Sequence, residues 1–148
     1  MNRFYFAYGM NTNIDEMAQR CPGAINLGKC TLSGFELKFR LHADIDQVDG
    51  SEMQGVLWKI TPECERALDN LEGYPFYYSK IDVVVIPERP VDRNTHIIAM
   101  AYIMNNKCKE EQPSFYYEKC LIQGYTENGL DVEKLTNKIK ELKITPNV

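Results

Sequence analysis

The chain has 148 residues, 44% of them hydrophobic and 26% charged, a balance that excludes disorder and collagen-like order and supplies a core without staples. Its 17 Lys and Arg stand against 21 Asp and Glu, for a net charge of −4, which argues against a surface built to grip nucleic-acid phosphates. No apolar run approaches the roughly 20 residues of a membrane-spanning helix, and an odd number of cysteines without a C-x-x-C pair argues against a disulfide framework or a thiolate zinc site.

The length fits one domain over residues 1–148. Free thiols, and a start that lacks a long apolar stretch with a cleavage site, place the expected location in the cytoplasm. Phe4 to Tyr8 is a short apolar, aromatic run ending at Gly9, the pattern of a buried strand. Asn13 reads as an N-cap with Glu16 three residues on. Ile14, Met17, Ala18 and Cys21 then follow the spacing of one helix face, and Pro22-Gly23 stops it. Strands are expected at Lys29–Thr31 and Phe35–Leu41, with Ser33-Gly34 between them. His42 to Ser51, with Asp44, Asp46, Asp49 and Gly50, reads as an exposed acidic loop.

Gln54 to Ile60 is the next strand. Thr61-Pro62 opens a helix as N-cap and first residue. Cys64, Ala67, Leu68 and Leu71 form its apolar face, and Gly73 closes it. Tyr77 to Ile86 and His96 to Met104 are long β-rich runs. Pro113-Ser114 leads into a helix through about Gln123. A last helix is marked by Leu135, Ile139 and Leu142, with Lys134, Lys138, Lys140 and Lys143 on its other face. Strands and helices do not alternate regularly, which predicts an α+β fold: a mixed, strongly curved sheet or partly closed β-barrel flanked by helices.

Common catalytic signatures are absent: there is no H-E-x-x-H, no G-x-S-x-G elbow, and neither phosphate-binding glycine loop. Asp44, Asp46 and Asp49 lack the spacing and closing glutamate of a calcium loop and read as a solvated turn. Two segments remain. Tyr8-Gly9-Met10-Asn11 joins a strand end to a capped helix, where successive N–H groups can form an anion nest. In Leu68-Asp69-Asn70-Leu71-Glu72-Gly73, Glu72 lies about 40° around the helix axis from Leu68. It borders the apolar stripe, whereas Asp69 points away from it. Partial burial and the helix C-terminus both raise the pKa of such a carboxyl, which suits a general acid or base near neutral pH.

Together these segments resemble a known family. Phe6-Ala7-Tyr8-Gly9-Met10-Asn11 resembles the F-x-Y-G-S-N motif of gamma-glutamylcyclotransferases and their plant and bacterial relatives. Leu68-Asp69-x-x-Glu72-Gly73 resembles the helix end that holds their catalytic glutamate. Gly55-Val56-Leu57-Trp58, Pro75-x-x-Tyr78-x-Lys80, Ala101-Tyr102-Ile103-Met104, Pro113-Ser114 and Glu127-Asn128-Gly129-Leu130 extend the likeness over nearly the whole chain, in order.

The resemblance implies a reaction: cyclisation of a γ-glutamyl group to 5-oxoproline with release of an amine or amino acid. Glu72 would be the general acid/base. Tyr8, Gly9, Met10 and Asn11 would hold the glutamyl part of a small γ-glutamyl substrate, and Tyr102 would position it through its hydroxyl. No metal or organic cofactor is implied. Met10 stands where the family usually has serine, which motivates an alternative: a module that binds a small, anionic ligand in the same pocket without turnover. The tyrosines Tyr74, Tyr77, Tyr78, Tyr116 and Tyr117 could line a pocket, although aromatics this dense are more often core or rim packing.

Overall fold

A computed structural model describes residues 3–144. Five strands close a barrel in the order β1-β3-β2-β4-β5. They are β1 (Arg3–Ala7), β2 (Ile25–Arg40), β3 (His42–Ile60), β4 (Tyr78–Pro87) and β5 (Ile97–Met104). Helices α1 (Ile14–Arg20), α2 (Pro62–Glu72), α3 (Phe115–Glu127) and α4 (Val132–Ile144) lie around it, and one 3-10 turn, Met10–Thr12, follows β1. All strand pairs are antiparallel except β1 with β5, which meet in parallel at Tyr5 and Met100 and shut the barrel. The fold is α+β with a mixed, closed barrel, as the irregular alternation predicted.

The apolar strand faces point inward: Phe6, Phe39, Ile45, Leu57, Ile60, Val85 and Met100 are fully buried. The predicted caps form. Asn13 accepts from the Glu16 N–H, Thr61 from Cys64 and Ser114 from Tyr117, and Gly73 ends α2 in the left-handed conformation at φ 64°. Each satisfies helix-end groups that would otherwise be unpaired. The helical faces are narrower than their periodicity suggests. Met17 and Cys21 are buried while Ile14 and Ala18 are exposed, and Cys64 and Leu68 are buried while Ala67 and Leu71 are exposed. Helices this short touch the barrel along a thin stripe.

Three expectations are corrected. The region His42–Ser51 is no loop: it is the first half of β3, joined to β2 by Leu41 alone, at φ 69°. Ala43, Asp44 and Ile45 are buried there. The hairpin register Arg40↔His42 through Phe35↔Gln47 wins over the turn-forming composition, because tertiary contacts cover both faces at Ala43–Ile45. Lys29–Thr31 and Phe35–Arg40 are parts of one 16-residue strand, which ends one residue before the expected Leu41 and has a bulge where Ser33-Gly34 predicted a break. Gly34, at φ 82°, supplies the bend. Helix α3 runs on to Glu127. No helix among the described residues is long and apolar enough to cross a membrane.

Candidate active site

The strand and helix ends converge on one side of the barrel around a cavity of about 200 Å³. Tyr8, Gly9, Met10, Asn11, Glu72 and Tyr102, the residues singled out from the sequence, all line it. A larger groove of about 830 Å³ lies between the β2–β3 hairpin and α4 and contains none of them.

The first wall is the turn after β1. Thr12 N–H donates to the Gly9 carbonyl at 3.0 Å and Asn13 N–H to the Met10 carbonyl at 3.0 Å. Among the described residues the Gly9 and Asn11 N–H groups make no hydrogen bond. The turn is clamped from outside the cavity. Trp58 Nε1 donates to the Asn11 carbonyl at 3.0 Å, and the Tyr125 hydroxyl to the Tyr8 carbonyl at 3.2 Å. Gly9 is required by close approach: a Cβ there would lie 2.9 Å from the Tyr117 hydroxyl and 3.0 Å from Ala43 Cβ.

The second wall is the C-terminal end of α2. Glu72 is half-buried and makes no hydrogen bond or ion pair with any described residue. Burial pushes its carboxyl up to about 7, against a smaller downward pull from the Arg20 guanidinium. Asp69, which the helical wheel turned away from the apolar stripe, does not face water. It pairs with Lys80 at 2.8 Å and accepts the Tyr102 hydroxyl at 2.7 Å. Lys80 also pairs with Glu65 at 2.6 Å and lies over the Tyr74 ring at 4.3 Å.

Tyrosines complete the cavity. Tyr77, Tyr78 and Tyr117, expected as packing residues, line it together with Tyr5. Tyr74 and Tyr116 are outside it. Hydrogen bonding decides what each phenol offers. Tyr8 donates to the Tyr102 carbonyl at 2.6 Å, Tyr78 to the Ala43 carbonyl at 2.9 Å, and Tyr102 to Asp69. A carbonyl or carboxylate can only accept, so these three hydroxyls have spent their protons and present lone pairs to a ligand. Burial raises the pKa of all three, which keeps them neutral.

Sequence reasoning missed Arg20, His42 and Tyr5, and weighed Tyr77, Tyr78 and Tyr117 as pocket lining only second to packing, although dense tyrosines near both motifs were the available signal. Arg20 reaches the cavity from the last turn of α1. His42 arrives from the hairpin that had been read as a loop, with its ring 5.5 Å from that of Tyr117.

Comparison with known proteins follows the same outline. The model of the AIG2-like family matches residues 52–135. The gamma-glutamylcyclotransferases of Mus musculus and Homo sapiens are each 31% identical over 141 residues, covering 87% of this chain and 73% of theirs. A solved structure named gamma-glutamyl cyclotransferase superposes with a TM-score of 0.82 at 29% identity, covering 99% of this chain and 90% of that one.

Proposed function

The chain belongs to the AIG2-like family, with gamma-glutamylcyclotransferases among its relatives, and from that premise we propose that it cyclises a γ-glutamyl group to 5-oxoproline and releases the attached amine or amino acid. The observation that carries this reading is Glu72: a carboxyl on the cavity wall, unpaired, with burial holding its pKa at about 7. Such a group is ionised often enough to accept a proton and protonated often enough to give one back.

The neutral α-amine attacks the γ-carbonyl carbon, forming the ring C–N bond. Glu72 takes a proton from that nitrogen and returns one to the nitrogen of the γ-amide, whose C–N bond breaks. The hydroxyl oxygens of Tyr8, Tyr78 and Tyr102, all turned to accept, suit the N–H groups of the amine. The free N–H groups at Gly9 and Asn11 suit the glutamyl carboxylate or the oxyanion that develops on the γ-carbonyl oxygen. The attack is intramolecular, so holding the chain folded on itself supplies much of the acceleration. The contacts assigned to the turn are made by its backbone, and Met10 in place of serine therefore leaves them available. Met10 also supports a second reading, in which the cavity binds a small anion without turnover.

The test is 5-oxoproline release, followed by mass spectrometry, from γ-glutamyl amino acids, γ-glutamyl amines and an ε-lysine isopeptide. Wild type is expected to release it, and Glu72→Gln to lose about 10²–10⁴ in kcat. A Glu72→Gln protein with full rate would sink the mechanism, and folded wild type with no release from any compound would favour the binding module.

A further inference from the structure

Tyr5 differs from the other phenols. Its ring stands edge-on to that of Tyr102, with centroids 5.8 Å apart, and its side chain is almost fully buried at 5% exposure. Its hydroxyl accepts a hydrogen bond from Asn11 Nδ2 at 3.0 Å. The orientation of that amide is set by chemistry: Asn11 Oδ1 accepts from Arg20 Nη1, and a guanidinium has no acceptor to offer. Arg20 therefore holds the oxygen of the amide, and the NH₂ is left for Tyr5. Tyr5 must accept, and its own proton has no acceptor among the described residues. An unpaired buried donor is costly unless something completes it. Tyr5 lines the same cavity as Glu72.

We propose that Arg20 and Asn11 form a positioning relay that keeps the Tyr5 hydroxyl as a hydrogen-bond donor into the cavity, where it binds an oxygen of the ligand. This rests on the cyclotransferase reading for the oxygen's identity, which is then the carboxylate or the developing oxyanion of the γ-glutamyl group. Tyr5 touches the ligand; Asn11 and Arg20 act through Tyr5. The polarity also sorts the cavity. Tyr8, Tyr78 and Tyr102 accept, and Tyr5 gives.

Asn11→Asp tests the relay by inverting it. The new carboxylate still accepts from Arg20, and its other oxygen accepts from Tyr5, which draws the phenolic proton out of the cavity. Asn11→Asp and Tyr5→Phe are each expected to lower kcat about 10²-fold and to weaken 5-oxoproline binding, measured by calorimetry, about tenfold. The double variant is expected to be no worse than either single one, because both changes remove the same donor. Arg20→Lys, which keeps a donor at Asn11 Oδ1, is expected to retain more activity than Arg20→Leu. Thermal unfolding separates these losses from loss of fold, and if Asn11→Asp does not fold, Arg20→Leu paired with Tyr5→Phe serves the same cycle, with kcat read above the pH limb of every variant so that Glu72 is ionised in each.

Wild-type kcat in Asn11→Asp, or losses that multiply in the double variant, would overturn the relay. If wild type releases no 5-oxoproline, the enzymatic reading fails by itself. The relay is then judged on 5-oxoproline affinity, and equal affinity in wild type and both single variants overturns it.

Discussion

Two acids, Asp44 and Glu72, have opposite surroundings. Asp44, on β3, is completely buried and fully engaged: it accepts from Arg40 at 2.8 Å, Lys107 at 2.8 Å and the Met104 N–H at 2.9 Å. Arg40 is shared with Asp46, at 2.6 Å, and this pairing holds the Asp46 carboxyl below the usual carboxylate range. Glu72, at the end of α2, is half-buried and has no partner among the described residues. A buried charge with its partners in place fastens one segment to another. A carboxyl without them is pushed towards its neutral form and stays available for proton transfer. The first acid ties the β2–β3 hairpin to the chain after β5, and the second faces the cavity.

The contrast is broken most severely by Asp44→Ala. It leaves Arg40 and Lys107 short of a counter-charge beside buried surface, and is expected to cost about 3 kcal/mol in urea unfolding. A loss below 1 kcal/mol would mean that the cluster is decorative. Glu72→Gln should act in the other direction. The folded protein holds this carboxyl at about 7 against an ordinary 4.5. It binds the proton more tightly than the unfolded chain does, so stability falls as pH climbs from about 4.5 to about 7 and is flat above. Removing the charge should therefore stabilise the protein by roughly 2 kcal/mol at pH 8 and leave it nearly unchanged at pH 4. Equal melting temperatures at pH 8 would contradict the account of Glu72.

A finer test reads Glu72 through activity. Under the proposed mechanism its ionised form is the base, so kcat/KM should rise with pH through about 7. The Arg20 guanidinium pulls the carboxyl down, so Arg20→Leu should move that limb to higher pH. A limb that stays in place would separate Arg20 from Glu72. The smallest effect is expected at the surface. Lys143 meets Glu118 at 3.1 Å with its side chain 47% exposed, and Lys143→Ala should cost less than about 0.5 kcal/mol. A larger loss would show that exposed pairs, too, hold this fold together.

Much of this could be read directly from the chain. The caps at Asn13, Thr61 and Ser114 and the left-handed Gly73 are local devices, and they formed where their residues stood. The two motifs were also legible, because the residues that make a turn nest or a helix-end acid sit within a few positions of each other. What escaped was non-local. The acidic stretch Asp44–Asp49 has the composition of a turn. Asp44 lies in a strand because Lys107 and the Met104 N–H, some sixty residues away, satisfy its charge there. Asp69 was read as facing away because a helical wheel does not contain Lys80 and Tyr102.

The direction of each phenolic proton lies still further beyond sequence reading. Tyr5, Tyr8, Tyr78 and Tyr102 are the same residue type, and only the partner that the folded chain brings to each sets which of them gives a hydrogen bond and which receives it. Local chemistry along the chain set the helix caps and ends and marked Glu72 as the candidate acid. Tertiary structure set the direction of the tyrosine hydrogen bonds, because such bonds are directional and their partners, Asn11, Tyr102, Ala43 and Asp69, come from a turn, two strands and a helix.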